Sequence, residues 1–253
     1  MCLIIFAYKV HPKYPLIITA NRDEFYERPT AKAHWWESKP NLLAGKDLKG
    51  GGTWLGVSKS GRFAALTNYR SLEHIKPNAP TRGSLVADFL VDENAPSAME
   101  YVETIENDEA FNGYNLLLYE KNTLVWHSNV SRESRELEAG IYGVSNALLD
   151  TPWAKVERGK FFLKELLSED SVDFDIEKAF NFLQDTVRPN DDKLPDTGVG
   201  IELERLLGTL FIQSQKYGTR CSTVVLVDEK DTVFFEERVF GKEKQRTKVT
   251  VIS

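Results

Sequence analysis

Cysteine is scarce in this chain. Two residues, Cys2 and Cys221, are spread over 253 positions, too few for a disulfide framework or for a Cys-rich zinc site. Histidine is nearly as sparse. His11, His34, His74 and His127 show no metal-ligand spacing, so no metal and no cofactor is expected. No Cys-x-x-Cys-His occurs, which removes the usual covalent haem attachment. Gly50-Gly51-Gly52 runs into Thr53-Trp54 and not into Lys-Ser/Thr, so it is not a phosphate-binding P-loop; it reads as a lid hinge or a plain turn. Long apolar runs are missing too. The longest, Met1–Tyr8, is too short to cross a bilayer, and Lys9 and His11 deny it the apolar core of a signal peptide. The expectation is a cytoplasmic protein without stable membrane insertion. No basic stripe with interleaved aromatics is present, which argues against nucleic acid as a partner. No internal repeat or low-complexity segment is found.

What remains has the composition of an ordinary globular protein, 42% apolar and 28% charged. The net charge of −6 is uneven. Residues 1–90 carry 13 Lys and Arg against 7 Asp and Glu, a net of +6, and the rest carries −12. A basic N-terminal part suits an anionic small ligand; solvated charge on separate faces fits equally.

The chain begins with strands. Cys2–Lys9 and Leu16–Ala20 read as two apolar strands joined through His11-Pro12 and Tyr14-Pro15, the second ending at the polar cluster Asn21-Arg22-Asp23-Glu24. Residues 25–52 show little periodicity and read as a long loop. Trp54–Ser58 and Arg62–Asn68 form a hairpin around Ser60-Gly61. Beyond Pro77 and Pro80, Leu85–Val91 has helical spacing, and Ser97-Ala98-Met99-Glu100 is a capping box. Tyr114–Tyr119, Leu124–His127 and Ile141–Ser145 return to strands. Thr151 as N-cap with Pro152 at the first helical position opens a helix that buries Val156, Leu163, Leu166 and Leu167. Asp175–Thr186 and Ile201–Phe211 read as further helices. Thr223–Val227, Val233–Phe240 and Lys248–Ile252 close the chain as strands. Without strict βα alternation, this order points to α+β layers. Thr223–Val227 is almost wholly apolar, which predicts a strand covered on both faces. Two sheets face to face with helices outside satisfy both observations, as one domain over residues 1–253.

Removal of Met1 would leave a cysteine carrying both a thiol and a free α-amine, with reference pKa values of about 8.5 and about 7.7–8.0. That pairs a nucleophile with a base near cellular pH. The alternative is a small apolar residue in a buried first strand. Arg22 can lower the thiol pKa or hold a carboxylate, and Asp23 can fix the α-ammonium or accept its proton; a polar turn or a local salt-bridge network accounts for the same residues. Asn68 and Asn146 each follow an apolar strand, where an amide can donate to an oxyanion or end the strand in a turn. Trp35, Trp36 and Trp54 line a pocket or belong to the core. Cys221 is expected near Cys2, able to pair with it on oxidation.

Several blocks resemble a known family. Asn21-Arg22-Asp23-Glu24-Phe25-Tyr26-x-Arg28-Pro29, Gly51-Gly52-Thr53-Trp54-Leu55-Gly56-Val57-Ser58, Ala65-Leu66-Thr67-Asn68-Tyr69-Arg70, Tyr142–Trp153 and Tyr217–Asp228 are similar, in order, to the NRDE or transport and Golgi organisation protein 2 family. The resemblance implies a four-layer α-β-β-α sandwich of two packed antiparallel sheets flanked by helices, the N-terminal nucleophile (Ntn) hydrolase fold. It looks closest to choloylglycine and penicillin V acylases. Carried over, Cys2 matches the nucleophile, Asp23 the second-strand aspartate, Asn68 and Asn146 the two asparagines, and Arg220 the late arginine. Asn21, Arg22, Glu24, Arg28, Trp54, Tyr69 and Arg70 are the accompanying ligand-binding candidates. One position departs: the acylases carry an arginine three residues before the aspartate, where this chain has Ala20. The family is linked to haem trafficking, to acyl-CoA or lipid metabolism, and in animals to secretion and Golgi organisation. The resemblance therefore implies either an amidohydrolase acting on an acyl amide or a carrier of an anionic amphipath such as an acyl-CoA, lipid or haem.

Overall fold

The computed structural model describes residues 2–71, 75–91, 96–105, 108–169, 171–241 and 244–251. In chain order the elements are β1 Cys2–Tyr8, β2 Leu16–Phe25, β3 Thr30–Trp36, β4 Lys39–Asp47, β5 Leu55–Ser58, β6 Phe63–Asn68, α1 Gly83–Val91, α2 Ala98–Glu103, β7 Tyr114–Glu120, β8 Thr123–Ser128, β9 Glu133–Glu136, β10 Gly140–Val144, α3 Ala154–Leu167, α4 Ile176–Leu183, α5 Ile201–Leu207, β11 Tyr217–Val227, β12 Val233–Val239 and β13 Gln245–Val251.

The strands form two antiparallel sheets. The first runs β10-β1-β2-β11-β12-β13 and the second β3-β4-β5-β6-β7-β8-β9. Period-2 alternation decides which residues meet. In β1 and β2, Ile4, Phe6, Tyr8, Leu16, Ile18 and Ala20 face the second sheet and join Leu43, Val57, Ala65, Leu117 and Trp126 in a core between the sheets. Leu3, Ile5, Ala7 and Ile17 face the other way, onto Val156, Leu163, Phe180 and Leu183 of α3 and α4. The outer face of the second sheet is covered by α1 and α2 through Val86, Phe89, Leu90 and Val102. The result is the expected α-β-β-α stack. β1 and the inner parts of β2 and β11, Leu16–Ala20 and Val224–Val227, are covered on both sides, which is why they read as nearly unbroken apolar runs.

Several boundaries differ from the sequence reading. Residues 25–52 are not a loop: they hold β3 and β4. Register breaks between Ala31 and His34 and between Trp35 and Trp36 interrupt the alternation that would have revealed β3. β2 does not stop at Ala20, because β1 and β11 pair with it beyond that point; the Asn21–Glu24 cluster lies inside a central strand. Thr151 is not the cap of α3. Its hydroxyl donates to the Leu148 carbonyl at 2.8 Å, and the helix starts two residues past Pro152, with Trp153 as N-cap. α5 ends at Leu207 before Gly208, short of Phe211. β9, charged and exposed along its length, gave no apolar signal. The capping box holds: the Ser97 and Glu100 backbone amides donate to each other's side chains. The Gly50–Gly52 stretch is a turn. Asp47 Oδ1 accepts from the Lys49 and Gly50 amides, both at 3.0 Å, Gly51 has φ +76, and a Cβ on Gly52 would lie 2.4 Å from the Gly83 carbonyl carbon. His74 and Ile252 lie outside the described residues.

Candidate functional site

One end of the sandwich opens into a cavity of about 570 Å³. Its floor is a single rung of the first sheet. Cys2 of β1 pairs directly with Arg22 of β2, and Arg22 with Cys221 of β11. Directly paired residues project from the same face, and this face is the one carrying Ile4 and Ala20, so the three side chains sit at the mouth of the space between the sheets. All three line the cavity, with Asp23, Glu24, Arg28, Trp54, Asn68, Arg82, Arg220 and Glu237.

The register settles two points. Cys2 and Cys221 flank Arg22, so their backbones are two strand spacings apart, roughly 9–10 Å. A disulfide needs Cα atoms within about 6.8 Å, and both thiols are free. Direct pairing of the two cysteines is therefore corrected to a shared rung with an arginine between them. Ala20 and Arg22 lie on the same face of β2. An arginine at position 20 would point as Arg22 does, one rung deeper; Arg22 presents its charge opposite Cys2 itself.

Burial dominates the electrostatics. The Cys2 thiol is 7% exposed, and desolvation pushes it up to about 11, with Asp23 acting in the same direction and Arg22 opposing. Arg22 is 6% exposed, and its Nη1 has no hydrogen-bond partner among the described residues. Asp23 is raised by burial, and its strongest opposing charge is Lys155; Thr219 Oγ1 donates to Asp23 Oδ1 at 2.7 Å. Glu237 is also raised by burial, and its Oε1 accepts the Ala33 amide at 2.7 Å, tying the two sheets at the cavity wall.

Arg220 reaches the cavity through a bulge. β11 aligns Thr219 with Asp23 and Cys221 with Arg22, so Arg220 is the extra residue between two paired ones. Its Nη1 donates to the carbonyls of Phe25 and Arg28 at 2.8 and 3.1 Å, fixing the rim. Arg28 in turn donates to Asp47 Oδ2 from Nε and Nη2 at 2.9 and 2.7 Å. Arg82, which sequence reasoning did not single out, donates to the Gly113 carbonyl at 2.9 Å and brings a further cation to the wall; nothing in its local sequence signals this.

Of the residues expected to form the site, the cavity gathers Cys2, Arg22, Asp23, Glu24, Arg28, Trp54, Asn68 and Arg220. It does not gather four others. Asn21 faces the helices, where its Nδ2 donates to the Leu183 and Leu210 carbonyls and its Oδ1 accepts from Ser222. Asn146 is 1% exposed and donates to the Asn68 carbonyl at 2.8 Å, while Ser145 donates to the Cys2 carbonyl at 2.8 Å; together they fasten β1 and β6 to the end of β10. Tyr69 is absent from the lining, although its amide donates to Gly113. Arg70 lies in a separate small cleft, donating to Glu204 Oε2 at 2.9 Å with its guanidinium 5.0 Å from the Trp153 ring centre. Of the other two tryptophans considered, Trp36 is buried in the core under α1 and α2, and Trp35 packs against the core between the sheets. Met1 lies outside the described residues.

Two face-to-face antiparallel sheets between helix layers define an Ntn-hydrolase-like fold. Solved structures share the architecture. The mutant C2A conjugated bile acid hydrolase from Clostridium perfringens superposes with TM-score 0.57 at 10% identity, covering 98% of this chain and 92% of that one. The N-acylethanolamine-hydrolyzing acid amidase orthologue of Caenorhabditis elegans gives 0.50 at 13% identity, covering 89% and 92%. Within that class, the chain belongs to the Transport and Golgi organisation 2 family, whose model matches residues 1–242. The bovine homologue is 36% identical over 99% of this chain and 97% of its own length. The human one is 34% identical over 94% and 92%, and the Drosophila melanogaster protein 29% over 95% and 93%. Among the described residues no group of three or more His, Cys, Asp or Glu is placed to hold a metal ion, and no helix is long and apolar enough to cross a membrane.

Proposed function

We propose that this protein is a cysteine amidohydrolase acting on a small acyl-amide substrate. The observation that carries the reading is Cys2 on the floor of the 570 Å³ cavity, at the first-strand end of a fold shared with a conjugated bile acid hydrolase and an N-acylethanolamine-hydrolyzing acid amidase. After loss of Met1, the α-amine takes the thiol proton as sulfur attacks the carbonyl. A C–S bond forms, the C–N bond breaks, and the α-ammonium returns the proton to the leaving amine; water then cleaves the thioester. Burial disfavours the free thiolate, so this attack needs such a proton acceptor. Asp23 orients the amine. Asn68 and Arg22 face the developing negative charge at the cavity floor, and Arg220 holds the rim. Asn146 acts by fixing Asn68.

Intact mass tests the first step: loss of about 131 Da, one methionine, is expected, and retained Met1 overturns the mechanism. With Met1 gone, Cys2→Ala should abolish acyl-enzyme formation and turnover on acyl-amide probes at unchanged thermal stability.

A second reading rests on Arg22. A buried guanidinium nitrogen without a partner suits a ligand's anionic group, with Arg28, Arg82 and Arg220 nearby and Trp54 as an apolar wall. That is a binder of an anionic amphipath such as an acyl-CoA, a lipid or haem. Ligand co-purifying under native mass spectrometry, together with weakened binding in Arg22→Ala, supports it; unchanged affinity in that variant removes the cluster as the binding site.

A further inference from the structure

Lys155 has no role in either reading, and its placement needs a reason. It occupies the first turn of the 14-residue α3, where the helix dipole disfavours a cation. It is 2% exposed, although lysine is almost never fully buried without a partner. Its Nζ makes no hydrogen bond among the described residues. α3 packs on β1 and β10, which brings Lys155 to the helix-side face of the first sheet, the face that carries Asn21 and Asp23.

We propose that Lys155 is a positioning residue of the Cys2 site, a buried ammonium that balances the Asp23 carboxylate on the helix side of the sheet and so favours the Cys2 thiolate on the other. The inference rests on Cys2 being the reactive group. Asp23 opposes ionisation of Cys2, and Lys155 is the strongest charge offsetting Asp23. The other charges around Lys155 are Arg70, in the segment after β6, Glu204 of α5 and Cys2 of β1; Lys193 lines the same small cleft. Arg70 is paired with Glu204, which leaves Asp23 as the carboxylate that Lys155 serves. Burial brings the ammonium down to about 8. Lys155 is therefore charged at neutral pH and neutral a little above it, and its influence on Cys2 fades over that interval.

The test is the rate of Cys2 alkylation by iodoacetamide in the full chain, read by peptide mapping so that Cys221 is scored separately, between pH 6.5 and 9.5. Three proteins are compared: wild type, Lys155→Met and Lys155→Arg. At pH 7 Lys155→Met should react at least threefold more slowly than wild type and converge with it by pH 9.5. Lys155→Arg, charged throughout, should match wild type at pH 7 and exceed it at pH 9.5. A purely structural lysine gives no such convergence. Equal rates for wild type and Lys155→Met at pH 7 overturn the proposal while leaving the nucleophile reading intact. Absence of Cys2 alkylation in wild type overturns both. If Lys155→Met does not fold, the excess of Lys155→Arg over wild type at pH 9.5 decides alone, and its absence counts against the proposal.

Discussion

Buried cations serve two different ends in the two sheets. In the second sheet, Arg62 Nη2 meets Glu120 Oε2 at 2.6 Å, its Nη1 donates to the Phe89 carbonyl at 3.3 Å, and Glu120 Oε1 accepts the Ala98 amide at 2.7 Å. That pair ties α1 and α2 to the sheet. At the first sheet, Arg22 of β2 and Lys155 of the overlying α3 are buried as deeply, yet each keeps a nitrogen without a hydrogen-bond partner among the described residues. Desolvating a charge costs free energy that a close partner partly offsets. Where the partner is present the cation holds the fold together. Where no such bond is made, as at the Arg22 nitrogen beside the cavity and Cys2, the cost points to function.

Three measurements can break or sharpen this contrast. The largest effect belongs to the satisfied pair. Glu120→Ala strands Arg62 and the Ala98 amide and should cost about 3–5 kcal/mol in denaturant unfolding; a loss below about 1 kcal/mol would make the pair dispensable and erase the comparison. Lys155→Met comes next, and its sign depends on pH. A folded value near 8 against about 10.4 unfolded penalises the folded wild type fully below pH 8, and the penalty is lost as pH rises from 8 to 10.4. Wild type should therefore gain on the variant by about 2–3 kcal/mol between pH 7 and pH 10; a constant gap means that Lys155 titrates normally. The smallest effect is expected for Arg22→Met. Replacing a cation that makes no ion pair among the described residues by an apolar side chain of similar length should change stability by less than about 1 kcal/mol, or raise it. A loss of 3 kcal/mol or more would place Arg22 with Arg62 among the structural cations.

Much of the site was legible because it is local. Cys2 behind Met1, the Asn21–Glu24 cluster and Asn68 stand out as polar chemistry next to apolar strands, Arg220 follows from the family resemblance, and the cavity collects all of them except Asn21. What could not be read is where each side chain points and what lies against it. Asn21 and Arg22 are neighbours in sequence yet serve opposite faces, one capping helix-side carbonyls and the other opposing Cys2. Asn146 resembles Asn68 in context, but the turn after β10 commits its amide to the Asn68 carbonyl. Lys155 follows an ordinary Trp-Ala and carries no signal at all. Its importance comes from a long-range packing contact.

The sequence by itself determined the layers of this protein. Apolar alternation and doubly covered strands leave few ways to bury so much surface, and two sheets between helices is the one that suits this order of elements. Only the tertiary structure decided the pairing register, and with it that Arg22 separates two cysteines, that a bulge delivers Arg220 to the rim, and that a lysine 132 residues further on becomes the charge facing Asp23. Local pattern sets which face a residue prefers. Which partner it meets there depends on strands and helices far apart in the chain, and no local pattern encodes that.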